Sequence, residues 1–275
     1  MSLLSFLFLF CAGIVTGTLG ALLGIGGGLF LVPFLVLALD LPMHQAIATS
    51  IVAVIATSSA GATMNLERQT VNIRLGMLLE IATVIGAIAG GLTASRLSAS
   101  VLTKLFSGIL LLVAALMIRR LLISNSDESV ASVRSEEHDA LRGMYRDEAT
   151  GTTTLYGVRR VPALLAVSLI AGNLSGLLGV GGGFFKVPAM TMLGGVPMKA
   201  ATATSNFMIG VTAAASAFIY FSHGHLNPVI ASAAVLGVLA GSYLGIKINR
   251  RMHSSVVTWI FAIVLVGAAV QLYLK

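Results

Sequence analysis

The chain reads as a succession of apolar runs with little polar alternation inside them. The runs fall at 3–23, 27–39, 44–64, 75–95, 101–118, 161–179, 183–193, 200–221, 228–246 and 255–274. Most are about 20 residues long, the length a helix needs to cross a hydrocarbon core of about 30 Å. None alternates with period two over about ten residues, as strands of a membrane barrel do. Lipid offers backbone polar groups no partner, so only helices and closed barrels span it, and this pattern predicts an all-α integral membrane bundle. Glycines break two of the helical stretches, GALLGIGGGLFLVP at 20–33 and SGLLGVGGGFFKVP at 175–188. Each glycine inside a helix costs about 1 kcal/mol relative to alanine, so these stretches predict departures from helical geometry.

The two breaks belong to a duplication. Residues 17–50 return at 172–205 with 17 identities in 34 ungapped positions, at an offset of 155. The shared elements are G-x-G-G-G, a proline five residues on, and the tripeptide ATS at Ala48–Ser50 and Ala203–Ser205. The register persists, with Asn72 matching Asn227, Gly86 matching Gly241 and Gly90 matching Gly245. Chance similarity between apolar helices shares leucine and alanine, not this ordered set, so a two-repeat architecture follows.

Composition sharpens the class. The chain is 57% hydrophobic and only 10% charged, with mean hydropathy +0.97, against about 25% charged in a soluble domain. Its net charge of +7 reads as basic residues gathered in cytoplasmic loops and not as a nucleic-acid face. Three parts are expected: a first membrane repeat at 1–118, a charged connector at 119–160, and a second membrane repeat at 161–275. The connector holds seven of the ten acidic residues and reads as a solvated linker, partly disordered or loosely helical. If each glycine-broken stretch enters the membrane and returns, the repeats are inverted. Thirteen basic residues then share the side of the connector and three (Arg96, Lys104 and Lys275) lie opposite; a single crossing at each break gives ten against six. The positive-inside bias therefore favours inversion, with a cytoplasmic connector, both termini outside and the glycine breaks near the midplane. The N-terminus lacks a basic n-region and reads as the first helix. The lone Cys11 excludes an internal disulfide and reads as a small buried residue.

Inverted repeats with broken helices at mid-membrane are a transporter architecture. A helix restarting after glycine presents free N–H groups and a positive dipole end, which bind oxyanions. Gly26, Gly27, Gly28, Gly181, Gly182 and Gly183 are the candidate main-chain donors. Thr49, Ser50, Thr204, Ser205 and Asn206 are candidate side-chain ligands; the alternative is that these hydroxyls bond their own helix backbone or bond across helices. Lys186, three residues past the glycines, either neutralises an anion or snorkels to the headgroups. Glu80 either carries a coupling proton or pairs with a basic neighbour near the interface. Gly13, Gly17, Gly86, Gly90, Gly237, Gly241 and Gly245, spaced by four, read as helix-packing positions. His223 and His225 flank Gly224 and read as a surface turn, since two ligands make a weak metal site. Nucleotide, zinc-protease and nucleophile-elbow motifs are absent from the sequence, so the expectation is a carrier, not an enzyme, without cofactor or metal.

The duplicated G-x-G-G-G-x-x-x-V-P, each copy followed by P-x-x-x-A-x-A-T-S, resembles the sulfite exporter TauE/SafE family, also called the 4-toluene sulfonate uptake permeases. The likeness spans the chain outside 119–160. It implies a plasma-membrane permease for sulfite, sulfonates or related organosulfur anions, and the inverted repeats add the expectation that rocking of the two halves alternates access within the bilayer. A passive anion channel, a carboxylate carrier and a membrane protein that processes a bound sulfur compound are the rival readings of the same residues.

Overall fold

A computed structural model describes residues 3–23, 27–67, 69–123, 141–146, 153–249 and 254–275. Ten helices appear among them: α1 (Leu3–Leu23), α2 (Gly28–Ala38), α3 (Met43–Glu67), α4 (Ile73–Arg96), α5 (Ala99–Ile123), α6 (Val161–Leu178), α7 (Gly183–Met192), α8 (Met198–Ser222), α9 (Pro228–Asn249) and α10 (Ser254–Leu274). Six of them (α3, α4, α5, α6, α8 and α9) are long and apolar enough to cross a membrane. The fold is thus an all-α multi-pass bundle. Helices α2 and α7 have only 11 and 10 residues. At 1.5 Å per residue they span about 15–16 Å, half of a hydrocarbon core.

Both short helices fold back on the helix before them. Gly27 lies beside the Thr16 carbonyl, and Phe34 packs on Phe8 with tilted rings, centroids 5.7 Å apart, so α2 runs antiparallel to α1. Gly182 lies against Ala171 and Ser175, and the Arg159 amide donates to Gly194 O at 3.0 Å, so α7 returns along α6 in the same way.

The long helices invert the soluble pattern of an apolar inside and a polar outside. On α4 the exposed positions include Met77, Ile81, Ile85, Ile88 and Leu92, a continuous apolar stripe. Its opposite face buries Glu80, Thr83, Gly86, Ala87, Gly90 and Ala94. Small residues let backbones touch where lipid supplies no hydrophobic drive for helix association. A Cβ on Gly86 would overlap Leu169 O, one on Gly90 would overlap Asn173 O, and one on Gly172 would overlap Thr83 O, all between α4 and α6. Between α1 and α9 the same contacts recur 155 residues away: Gly241 on Ile14 O, Gly245 on Thr18 O and Gly17 on Val238 O. The packing role expected of these glycines is what the structure shows. Cys11 departs from expectation: it is exposed, because α1 turns Leu9, Ala12 and Thr16 inward and Cys11 shares the outer side with Leu7, Phe8 and Val15.

Helices α3 and α8 cross antiparallel, with Gly210 on Ser58 and Gly61 near Asn206. One end of the bundle gathers Asp40 and Lys275, which form an ion pair, together with His44, whose Nε2 bonds Ala94 O at 3.1 Å. The other end gathers Asn72, whose side chain donates to Leu141 O at 3.1 Å, and the Arg159–Gly194 contact. Residues 124–140 and 147–152 of the connector lie outside the described residues, and its remaining parts are structured. Helix α5 runs on to Ile123, and strands β1 (Gly143–Arg146) and β2 (Thr153–Tyr156) pair antiparallel, Gly143 opposite Tyr156. Thr153, Thr154 and Tyr156 favour extended chain, and Leu141, Tyr156 and Val158 pack on a core built around Leu75, Leu79 and Leu164.

The His223–His225 turn holds a third ring that the sequence did not connect. His44 stacks on His225 with centroids 4.8 Å apart, and His223 lies 6.3 Å from His225. Among the described residues no group of three or more His, Cys, Asp or Glu is placed to hold a metal ion. Burial first, then the His44 and His223 charges, push the His225 pKa below its ordinary value.

Two measurements probe this packing. Gly241→Val should destabilise the detergent-solubilised protein by about 1–3 kcal/mol or more in thermal melts, whereas Gly108→Ala and Gly267→Ala, with nothing within 4 Å of the new Cβ, should be neutral or stabilising. Because folding depresses the His225 pKa, its contribution is complete above about pH 6.5 and is lost as pH falls through the folded-state value. The melting temperature should therefore drop between about pH 7.5 and about pH 5.5, and drop less in His225→Asn.

Candidate functional site

The site begins with backbone geometry. The residue capping α2 is Gly27 at φ 76°, and the residue capping α7 is Gly182 at φ 67°, preceded by Gly181 at φ 80°. Residues with a Cβ rarely adopt these left-handed values, which is why glycine stands there. Neither cap supplies a side-chain hydrogen bond to the first turn. The opening N–H groups of an α-helix have no acceptor within the helix and carry its positive dipole end. Since α2 and α7 are half-crossings, these open ends lie deep between the ends of the bundle.

The two breaks meet. A Cβ on Gly28 would stand 2.5 Å from Gly179 O and 2.7 Å from Ser50 Oγ, and one on Gly181 would press on Ile209 and Val54. The Ser50 hydroxyl donates to Gly179 O at 2.9 Å, a bond from the first repeat to the second. Gly183 opens α7, and Gly26 lies outside the described residues.

All four hydroxyls of the paired ATS elements are buried, none more than 1% exposed. None is seen to bond its own helix, but Ser50 and Thr204 bond across helices, which is the other half of the alternative reading. Thr204 Oγ1 accepts the Asn72 N–H at 3.0 Å, and the Asn72 side chain caps α4 by accepting the Leu75 N–H at 3.1 Å. Thr49 Oγ1 and Ser205 Oγ are buried with no hydrogen-bond partner among the described residues. A buried hydroxyl left unpaired costs about 1–3 kcal/mol, so both are places where an acceptor or donor from a guest would be gained. Asn206 is not drawn into this group: it is only half-buried and its amide lies toward Gly61 of α3.

Lys186 is 1% exposed, which rules out snorkelling. Its Nζ donates to Thr212 Oγ1 at 3.0 Å, and the Thr212 hydroxyl in turn donates to Glu80 Oε1 at 2.7 Å. Thr83 Oγ1 lies 3.3 Å from Thr212 Oγ1. Glu80 is 7% exposed and its Oε2 has no partner among the described residues. The interface pairing considered for Glu80 is therefore replaced by a buried Lys–Thr–Glu chain joining α7, α8 and α4. Thr212 and Thr83 went unread in the sequence. Their signals were spacing: Thr212 follows Thr204 by eight residues on one helix face, and Thr83 follows Glu80 by three. The chain has no counterpart in the other repeat, where the positions 155 away are Leu31, Thr57, Val235 and Val238. There Thr57 bonds backbone, Ala53 O at 3.2 Å and Val54 O at 3.1 Å.

Removing one partner of a buried charge pair costs about 3–5 kcal/mol, while replacing both by apolar residues is often neutral or stabilising. Lys186→Leu and Glu80→Val should each lower the melting temperature sharply. The double variant, which copies the other repeat, should recover most of the loss in the same melts.

The profile of the family described as sulfite exporter TauE/SafE matches residues 9–272. Among curated proteins the chain is 29% identical over 277 residues to "Probable membrane transporter protein YunE" of Bacillus subtilis, covering 98% of this chain and 97% of that one. It is 26% identical over 251 residues to "Probable membrane transporter protein YdhB" of the same organism, covering 91% of each. It is also 26% identical over 259 residues to "Probable membrane transporter protein MJ0441" of Methanocaldococcus jannaschii, covering 89% of this chain and 86% of that one. No solved structure matches the chain.

Proposed function

The chain belongs to the sulfite exporter TauE/SafE family, and from that footing we propose that this membrane transporter carries a small sulfur oxyanion, sulfite or an organosulfonate, across the plasma membrane by alternating access. One observation carries the reading: the glycine breaks of the two repeats come together deep in the bundle, with Gly28 at the α2 start against Gly179 O at the end of α6 and Val54 touching both Gly28 and Gly181. A glycine-capped helix start in each break, at Gly27 and at Gly182, suits a compact oxyanion with three oxygens. The unpaired hydroxyls of Thr49 and Ser205 and the buried ammonium of Lys186 supply further donors and positive charge. Thr204, Ser50 and the glycine amides complete the candidate ligand set in successive conformations.

Alternating access needs two halves that can rock about a shared centre. Inversion of the repeats is supported by where equivalent turns lie. The turn at 39–42 joins the Asp40–Lys275 end, whereas its counterpart at 194–197 joins the Arg159–Gly194 end. The latter end also holds the connector and most of the basic residues, and we assign it to the cytoplasm. With no nucleotide-binding motif in the sequence, the driving force is an ion gradient or the gradient of the substrate itself.

Reconstituted protein should show saturable counterflow of radiolabelled sulfite or methanesulfonate and should be stabilised in detergent by sulfur oxyanions more than by carboxylates. Gly27→Val and Gly182→Val force a β-branched residue into left-handed geometry and should cut counterflow at least tenfold while membrane insertion persists. Non-saturating current would mean a channel, stabilisation by carboxylates alone would reassign the substrate, and unchanged flux in both variants would remove the glycine caps from the mechanism.

A further inference from the structure

We infer that Glu80, Thr212 and Lys186 form a proton-linked anion switch, in which the Glu80 carboxylate holds the place of the substrate anion until a proton on Glu80 frees Thr212 and Lys186 to receive it. The inference rests on the transport reading above and adds its energy source: one proton moves with each negative charge, in the same direction.

The geometry sets this up. Lys186 belongs to the first turn of α7, its own amide bonded to Gly182 O at 3.2 Å, so its ammonium and the open end of α7 serve one helix start. In the structure that ammonium is held by Thr212, whose hydroxyl has Glu80 Oε1 as its nearest acceptor at 2.7 Å, ahead of Met208 O at 3.0 Å and Thr83 Oγ1 at 3.3 Å. The carboxylate is thus a tethered anion within the machinery suited to a free one. Its second oxygen, Oε2, is buried and accepts nothing from the described residues, which leaves a defined atom for the proton. Among the described residues the only charged group acting on Glu80 is Lys186. The packed face of α6 carries no charged residue. On α8 the groups are Lys199 at its start and Tyr220, whose hydroxyl is taken by Gly176 O and Leu177 O. On α4 itself Arg74 is exposed six residues away, and on α7 the facing charge is Lys186.

Charge balance decides which states can cross. A buried unpaired charge is costly, so the low-energy states of the closed site are those near neutrality. Lysine with ionised glutamate is one. Lysine with a bound monovalent anion and a protonated glutamate is the other. Lysine with both anions, or with neither, leaves a net buried charge. Passage between the two neutral states takes up one proton on Glu80 Oε2 with the anion and gives it back when the anion leaves. Because Leu31 and Val235 stand at the equivalent places of the other repeat, each chain has one such switch.

The test uses the full chain in proteoliposomes with radiolabelled methanesulfonate, a monovalent anion ionised at every assay pH, and with radiolabelled sulfite beside it, protein-free vesicles giving the leak. With the interior more alkaline by about one pH unit, wild-type protein should accumulate the anion up to about tenfold, the limit for one proton per charge, and nigericin should abolish it. Glu80→Gln should still counterflow, but without pH dependence, and its net accumulation should fall to the leak. If Glu80→Gln is not monodisperse, Thr212→Val carries the test, with accumulation falling at least threefold. Counterflow of neither anion in wild type would defeat the transport reading itself. Counterflow without gradient-driven accumulation, or variants that accumulate like wild type, would overturn the switch and leave that reading standing.

Discussion

Everything in this bundle follows from the fact that hydrocarbon cannot hydrogen-bond a peptide group. A chain that breaks two helices in mid-membrane must hide the freed amides inside protein. Here it does so by bringing the breaks to each other. The Ser50 hydroxyl satisfies the Gly179 carbonyl, and Gly28 comes so near that only a hydrogen atom fits in place of a side chain. One carbonyl is thereby met from across the repeat boundary, while no side chain caps either of the two helix starts.

The scaffold that holds the centre is built from close backbone contact. Helices α1 and α9, and α4 and α6, pack glycine against carbonyl along matching stripes, so that the second pair repeats the first contact by contact. Such interfaces are rigid along the helix axis, because each oxygen seats on one glycine. The crossing of α3 on α8 is different, resting on Gly210 against Ser58 and Gly61 near Asn206. Two stiff pairs joined through a small-residue crossing suit motion of pair against pair.

Much of this was legible in the chain. Ten helical runs, the register of the duplication, the packing glycines and the positive-φ caps all follow from local chemistry: glycine spacing, run length and the cost of a Cβ in left-handed backbone. What escaped depends on rotation about helix axes. The outward face of Cys11 could not be read, because a membrane helix is apolar on both its lipid and its protein sides and periodicity points neither way. The meeting of Lys186 with Glu80 needed the roll of α7 against α8 and of α8 against α4, which no single helix encodes. The β1–β2 pair was obscured by the charged residues around it, although Thr153, Thr154 and Tyr156 carried the extended preference.

The bond from the Asn72 amide to Thr204 is made, while Thr49, the residue that matches Thr204 in the other repeat, has no partner. The halves are thus built alike but fastened differently. Matching threonines of one duplicated tripeptide meet different surroundings, one engaged by a turn from a distant helix and one left with a hydroxyl to offer.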